Sequence, residues 1–320
     1  MRWQKWFGVP DPYLKDPLGF AKNHLRRIFL PDREDQRFYC GDWSKIEPTV
    51  LFWLTGLGRI ADDWYEDMAG EIFSVPKINI AKESEERQLG KSAALGCGYG
   101  MGHHKFKADT LKKSGLEISE SLAKQAVYAY RKKYKPITDL WRELEWGFKN
   151  AIYGQSTQCC NGKICIMPLV LPFRGVQIRL PSGSILYYPG AIVTPATSIE
   201  VLDDEGNPTY DMKGRQIFET EKASLAYMAE DNGTARLKKV YGGLLTEHVT
   251  SCTARDIILP AVYNLEAAGF EILNTVHDEL WGQSEQGRDD EFERIMCVNP
   301  SWALDMNITA SLKSGKRYLK

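Results

Sequence analysis

The stretch "EILNTVHDELWGQ", residues 271–283, drives an apolar run into three ionisable residues, His277-Asp278-Glu279, and returns at once to Leu280 and Trp281. Charges between apolar neighbours are costly to bury unless they are paired or bound to a cation. The stretch is therefore expected to fold as strand, turn and strand, with its charges at an edge. That pattern alone fits two readings: a hairpin whose tip happens to be polar, or a hairpin that presents carboxylates to a cation.

A second carboxylate stands in a comparable place. In "RFYCGDWSKIE", residues 37–47, Arg37 to Cys40 is strand-like and Asp42 falls where the strand ends. Ile46 to Leu54 then carries a helical pattern, with Pro48 tolerated in its first turn. An Asp after a strand is often a turn or N-cap residue. At a sheet edge it can also hold a hard cation such as Mg²⁺, which needs few protein carboxylates because substrate phosphates complete its octahedron. Two strand-borne carboxylates far apart in sequence, Asp42 and Asp278, with Glu279 beside them, are what a two-metal site for in-line phosphoryl transfer requires.

A third element, "ERQLGKSAALGCGYGMG" at residues 86–102, spaces Arg87, Lys91, Leu95 and Tyr99 four apart, which on a helix makes one slanting stripe. Two cations, an apolar residue and an aromatic suit a triphosphate at one end and a base at the other. The same spacing fits an amphipathic helix with two surface cations and a core Tyr. Charge is distributed to match the first reading. Between Lys77 and Lys149 stand 15 Lys/Arg against 9 Asp/Glu, and between Phe270 and Met306 only 2 against 9. One region can face phosphate while another holds cations.

Seven cysteines make an odd number without framework spacing, so reduced thiols are expected. Cys159, Cys160 and Cys165 lack a second ligand pair and a nearby His, so they read as a buried cluster rather than zinc. No apolar run approaches the ~20 residues of a membrane span, and the N-terminus carries no signal-peptide core. A cytoplasmic location with no membrane partner is expected.

Along the chain, the segment after Asp16 reads as a short helix, followed by the strand that ends near Asp42. Residues 60–148 are mostly helical in pattern. From 154 to 237 the pattern turns to alternation and turn clusters, as in "VQIRLPSGSILYYPGA". Helix returns at "GGLLTEHVTSCTARDIILPAVYNLEAAGF". Helical and sheet elements in separate blocks indicate an α+β fold.

Together the three constellations resemble the motifs of family A DNA polymerases, the bacterial polymerase I type and its phage relatives. "DWSKIE" is similar to motif A, "RQLGKSAALGCGYGMG" to the O helix of the fingers, and "VHDEL" to motif C, in the family's order. "YGGLLTEHVTSCTARDIILPA" and the terminal "GKRYLK" are similar to phage members, and the resemblance runs from about Phe20 to the end. It implies a palm with an antiparallel sheet, mainly helical fingers and a β-rich insertion. The divisions expected are 1–55 for the first palm part, 56–153 for the fingers, 154–237 for the insertion and 238–320 for the second palm part.

By this resemblance Asp42 and Asp278 bind two Mg²⁺ ions, with Mn²⁺ as a substitute, assisted by the backbone carbonyl of Trp43. Glu279 is a supporting acid and His277 positions the primer terminus. Arg87 holds the outer phosphates of the dNTP, Lys91 the phosphate under attack, and Tyr99 stacks near the templating base. Glu47 is the steric gate against a ribose 2′-hydroxyl. Single-subunit phage RNA polymerases lack the acids corresponding to Glu47 and Glu279, so both favour a deoxyribonucleotide. Departures are also visible. Leu95 stands where the family usually has Phe or Tyr, and Tyr65 where cellular members carry a His that helps hold the triphosphate. Pro48-Thr49 replaces the usual pair after the gate. His248 and Ser251 stand where relatives often place Asn and Gln.

Only 41 residues precede Asp42, so the expectation is palm plus fingers without thumb or exonuclease, as a fragment or split subunit. Trp3, Trp6 and Phe7 either dock a separate thumb/exonuclease polypeptide or cover the palm's own sheet. The partners implied are primer–template DNA and dNTPs. Two rivals remain: a catalytically impaired remnant that binds DNA or a partner, and a metal-dependent nuclease. The nuclease leaves the Arg87–Tyr99 stripe without a task.

Overall fold

The computed structural model describes residues 29–170, 174–201, 207–213 and 215–317. Trp3, Trp6, Phe7 and the helix expected after Asp16 therefore lie outside the described residues. In chain order, β1 (Gln36–Trp43) is followed by helices α1 (Ile46–Thr55), α2 (Trp64–Phe73), α3 (Glu85–Gly96), α4 (His103–Ser114), α5 (Glu120–Lys133) and α6 (Lys135–Ile152). Strands β2 (Thr157–Cys159), β3 (Ile164–Leu169), β4 (Gly175–Arg179), β5 (Ile185–Pro189) and β6 (Ile192–Thr194) come next. After them stand β7 (Thr197–Glu200), β8 (Phe218–Glu221), β9 (Ser224–Asp231) and β10 (Thr234–Val240). The chain closes with α7 (Gly242–Ala267), β11 (Glu271–Val276), β12 (Glu279–Glu285), α8 (Asp289–Met296) and β13 (Ala310–Gly315). Every ladder among these strands is antiparallel, which makes the fold α+β. Two compact units emerge, Met1–Thr49 with Ala254–Lys320, and Val50–Thr253.

The first unit is a four-stranded sheet in the order β11-β12-β1-β13. Strand alternation sends Phe38 and Cys40 to one face, where Trp281 packs against them. Tyr39 goes to the other, stacked on Phe292 at 5.6 Å, with Phe270 edge-on at 5.4 Å. Helix α8 covers that face because Phe292, Ile295 and Met296 fall on one side of it. The Trp43 indole Nε1–H donates to Met296 O at 2.9 Å, satisfying the one polar atom of a fully buried ring. Gly41 makes the close packing feasible, since a Cβ there would meet Met296 Sδ at 2.0 Å. Arg288 lies over the Phe270 ring at 4.0 Å and donates to Ala268 O and Ser284 Oγ, so its charge is held by acceptors rather than stranded.

In the second unit, helices α2 and α3 cross so closely that a Cβ on Gly90 would meet Tyr65 O at 2.3 Å. Ser84 caps α3 by accepting from Arg87 N at 3.2 Å. Trp64 Nε1–H donates to the Tyr134 hydroxyl at 2.8 Å and joins α2 to the end of α5. The region read as β-rich carries strands from Thr157 to Val240, in sheets ordered β2-β3-β4-β5, β10-β9-β6 and β7-β8. Pro181-Ser182-Gly183 turns β4 into β5, with Leu180 N–H donating to Ser184 O at 2.8 Å and Gly183 at φ 94°. None of the seven cysteines forms a disulfide. Cys159, Cys160 and Cys165 are buried, and burial pushes the Cys159 thiol up to about 12, so it stays protonated. No helix among the described residues is long and apolar enough to cross a membrane.

Candidate active site

The carboxylates that opened the sequence argument lie side by side in the first unit. Asp42, the penultimate residue of β1, pairs across the ladder with Glu279, the first residue of β12. Trp43 N–H donates to Asp278 O at 3.1 Å, which brings the backbone of the hairpin tip against the end of β1. His277 and Asp278 form the two-residue turn between β11 and β12, closed by the Val276–Glu279 pair. The turn needs a positive φ at its first central residue, and with no Gly available His277 takes it, at φ 56°. Asp42 and Asp278 are half-buried, Glu279 is only 3% exposed and His277 is exposed. Trp43 ends β1 with its side chain in the core, so its backbone alone is available to the site. Glu47 sits in the first turn of α1.

Three carboxylates are thus gathered at the end of β1 and the hairpin tip beside it. Asp42 and Asp278 offer hard oxygen donors that fit Mg²⁺. Among the described residues, the group whose ligand atoms lie within 4.8 Å of one another is His103, His104 and Glu120 on α4 and α5, not Asp42, Asp278 and Glu279. A site completed by substrate phosphates does not require the protein's carboxylates to close a cage themselves.

The second unit carries a separate cationic cluster. Arg87 and Lys91, one turn apart on α3, both face the Tyr65 ring of α2, at 5.5 Å and 5.8 Å from its centroid. Lys91 and Leu95 also line a cavity of about 270 Å³ with Gln88 and Met101. The four-residue stripe does not stay helical to its end. α3 stops at Gly96, and Tyr99 closes a 3₁₀ turn over Cys97–Tyr99. Gly98 explains the tightening: any Cβ there would press on Leu51 and on the Tyr130 hydroxyl at 3.2 Å. Tyr99 thus belongs to the turn after the helix rather than to its face.

Comparisons with known proteins bear on both units. No family model matches the chain. A DNA polymerase of Bacillus phage SP02 is 28% identical over 302 residues, covering 89% of this chain and 41% of that protein. Among solved structures, the POL domain of Pol1 from M. smegmatis, in complex with DNA primer-template and dNTP, matches 93% of this chain and 42% of that one. Its TM-score is 0.54 and its sequence identity 18%. The chain has a polymerase-domain fold. The resemblance carried by the three motifs is matched by sequence similarity to a phage polymerase, and this chain spans about two fifths of the length of both relatives.

Within the polymerase fold, one residue absent from the sequence reading stands out. Glu66 Oε1 accepts from Arg87 Nε at 2.6 Å, in a pair whose carboxylate is only 13% exposed. Burial is the largest single influence and would raise the Glu66 pKa, but the Arg87 hydrogen bond, a backbone hydrogen bond and the Arg87 charge together outweigh it and leave the carboxyl below its ordinary value. Burial pushes the Tyr65 phenol up, against the pull of Arg87. Glu66 carried no local signal: it stands 21 residues before Arg87, within an acidic run that reads as a solvated helix face. Of the two departures on α7, His248 is tied to the insertion, its Nδ1 sharing a hydrogen bond of 3.0 Å with the Tyr188 hydroxyl of β5. Ser251 sits one turn further along the same helix.

Proposed function

We propose that this chain carries out template-directed DNA synthesis, joining a primer 3′-hydroxyl to the α-phosphorus of a dNTP as the bond to pyrophosphate breaks. The observation that carries the reading is the pairing of Asp42 with Glu279, beside Asp278, at the ends of adjacent strands, in a chain similar to a phage DNA polymerase over most of its length. In this reading the first unit supplies the palm and helices α2 to α6 the fingers.

Asp42 and Asp278, with the Trp43 carbonyl, would hold two Mg²⁺ ions. Bound there, they would lower the pKa of the attacking hydroxyl and offset charge developing on the phosphates. Glu279 supports the acids from its buried position, and His277 at the exposed tip meets the primer terminus. Arg87 presents its remaining guanidinium N–H groups to the outer phosphates while Glu66 occupies Nε. Lys91 serves the phosphate under attack, and the Tyr65 ring lies beside both cations. Leu95 and Tyr99 face the base, and Glu47 excludes a 2′-hydroxyl.

Primer extension tests the reading. The purified chain is given a labelled primer–template, Mg²⁺ and either dNTPs or rNTPs, beside Asp278→Asn and Glu47→Ala variants. Templated dNTP addition that Asp278→Asn abolishes, and rNTP addition gained in Glu47→Ala, are expected. A folded chain that extends nothing sinks the reading for the chain alone, and the test is then repeated with a separate thumb/exonuclease polypeptide added.

A further inference from the structure

His103 and His104 open α4, and Glu120 opens α5. Among the described residues, these three bring their metal-binding atoms within 4.8 Å of one another. Local structure explains the meeting. Gly115, at φ 69°, ends α4 with its N–H donating to Leu111 O at 2.9 Å, and the chain then returns to bring Glu120 beside His103. Ser119 caps α5 by accepting from Leu122 N at 3.1 Å, which makes Glu120 the first helical residue. The His103 and His104 rings lie 4.1 Å apart by their centroids, tilted by 40°.

An ion pair alone does not account for this arrangement. His103 Nε2 stands 3.6 Å from Glu120 Oε1, too far for a hydrogen bond. That distance is close to the edge, about 3.3 Å, of a tetrahedron whose corners lie about 2.0 Å from a central Zn²⁺. Two imidazolium rings this close would repel each other. Both helices begin here, and their positive ends also disfavour protonation of the rings, leaving neutral imidazoles with lone pairs to donate. The same ends disfavour a metal, so a carboxylate is needed to offset them, and Glu120 supplies it. Lys124 Nζ reaches Glu120 Oε1 at 2.6 Å, one turn along α5, with both side chains about half exposed. Such an exposed pair is weakly held, and a metal competes with it for the carboxylate.

We infer that His103, His104 and Glu120 form a binding site for a divalent metal of the Zn²⁺ class, with water completing the tetrahedron on the exposed side. Imidazole nitrogen suits Zn²⁺, Co²⁺, Ni²⁺ or Cu²⁺, whereas Mg²⁺ takes oxygen donors. The site therefore differs in kind from the Asp42 and Asp278 cluster, and it does not depend on the proposed function. Its role is structural: it clamps the start of α4 to the start of α5. Phe106, Asp109 and Thr110 of α4 line the cavity that Lys91 and Leu95 line from α3, so the clamp steadies one wall of that cavity.

The test is titration of the untagged, reduced chain with Co²⁺ at pH 7.5 in excess Mg²⁺, read by Co²⁺ absorption, beside urea unfolding with and without Zn²⁺. One Co²⁺ per chain is expected, with a tetrahedral d–d spectrum, no thiolate-to-metal band, and displacement by Zn²⁺. Zn²⁺ should raise the urea midpoint, because its ligands come from two helices. His104→Ala and Glu120→Gln, at exposed positions, should each weaken binding by more than the roughly tenfold cost of losing a residue that merely supports a ligand, and remove the Zn²⁺ gain. Without metal both should unfold as cooperatively as the wild type, so a lost site is not mistaken for a lost fold. Lys124→Gln frees the carboxylate and should tighten binding about twofold, the scale of one exposed ion pair. Lys112→Gln, in the last turn of α4, controls for net charge and should leave binding unchanged, as should Asp278→Asn. No binding in the wild type, binding that survives both ligand variants, binding lost in Asp278→Asn, or a thiolate band that assigns the metal to cysteine would each overturn the inference.

Discussion

The acidic cluster of the first unit and the cationic cluster of the second are held by different means. Asp42 and Asp278 are placed by backbone: a ladder register and one N–H···O bond at 3.1 Å fix where their side chains begin. Arg87 and Lys91 are placed by side chains, through the Glu66 carboxylate and the Tyr65 ring. A change to an acid therefore alters chemistry while its scaffold persists. A change around the cations alters geometry as well.

The largest effect expected follows from this contrast. Asp42→Asn removes a charge and keeps every backbone bond, so extension should fall about a thousandfold, the scale of losing one preorganised charge at a transition state, with a thermal midpoint close to that of the wild type. Retention of a tenth of the activity, or a folding defect large enough to explain the loss, would break the distinction between chemistry and scaffold.

On the cationic side a graded response is expected. Arg87→Ala loses charge-assisted hydrogen bonds worth about 1.5–3 kcal/mol, which corresponds to a rise in the dNTP KM of roughly ten- to a hundredfold. Glu66→Gln leaves Arg87 in place but loosens its orientation, so its rise in KM should be smaller, with kcat moved less than KM. If Glu66→Gln instead lowers KM, the carboxylate competes with phosphate for Arg87 rather than orienting it. Steady-state kinetics on a single-nucleotide extension decides between the two.

How much of this was legible beforehand follows the same division. Asp42 and Asp278 were brought together in the sequence reading by the resemblance of their motifs to a known family, since apolar strands interrupted by charge alone left a merely polar hairpin tip open. The β-rich character of the middle could be read from its alternation and its Pro-Ser-Gly turn. Tyr99 was misplaced because spacing by four assumes a helix that persists, whereas packing at Gly98 tightens the backbone into a 3₁₀ turn. Glu66 could not be found, since an ion pair between two helices leaves no period in either.

Two glycines sharpen the contrast between the units in terms of stability. An added Cβ at Gly90 meets a backbone carbonyl, Tyr65 O at 2.3 Å, which cannot rotate aside. At Gly41 it meets first the thioether of Met296, a flexible side chain, at 2.0 Å. Helix propensity favours Ala at position 90 by up to about 1 kcal/mol, but overpacking against backbone costs about 1–3 kcal/mol and should win. Gly90→Ala is expected to destabilise more than Gly41→Ala in urea unfolding. Equal losses would mean that the Met296 side chain is as rigid as a helix backbone.

The smallest effect concerns His248, which belongs to neither cluster and ties α7 to β5 through Tyr188. Burial, and then the nearby Lys238 charge, hold the His248 imidazole below its ordinary value. Burial pushes the Tyr188 phenol up, so that partner stays protonated and neutral throughout the range. A lowered folded-state pKa means that the unfolded chain takes up the proton first. Stability from this residue is therefore intact above the unfolded value near 6.5 and declines as the pH falls towards the folded pKa. Urea midpoints of the wild type and of His248→Gln, taken from pH 7.5 down to pH 5, should show a difference that changes with pH below about 6.5 and is constant above it. Carboxylates titrating at lower pH affect both proteins and cancel in that difference. A difference that is flat with pH would assign the contact a packing role alone, and the stacked rings, 5.9 Å apart, would then be sufficient to hold the insertion to α7.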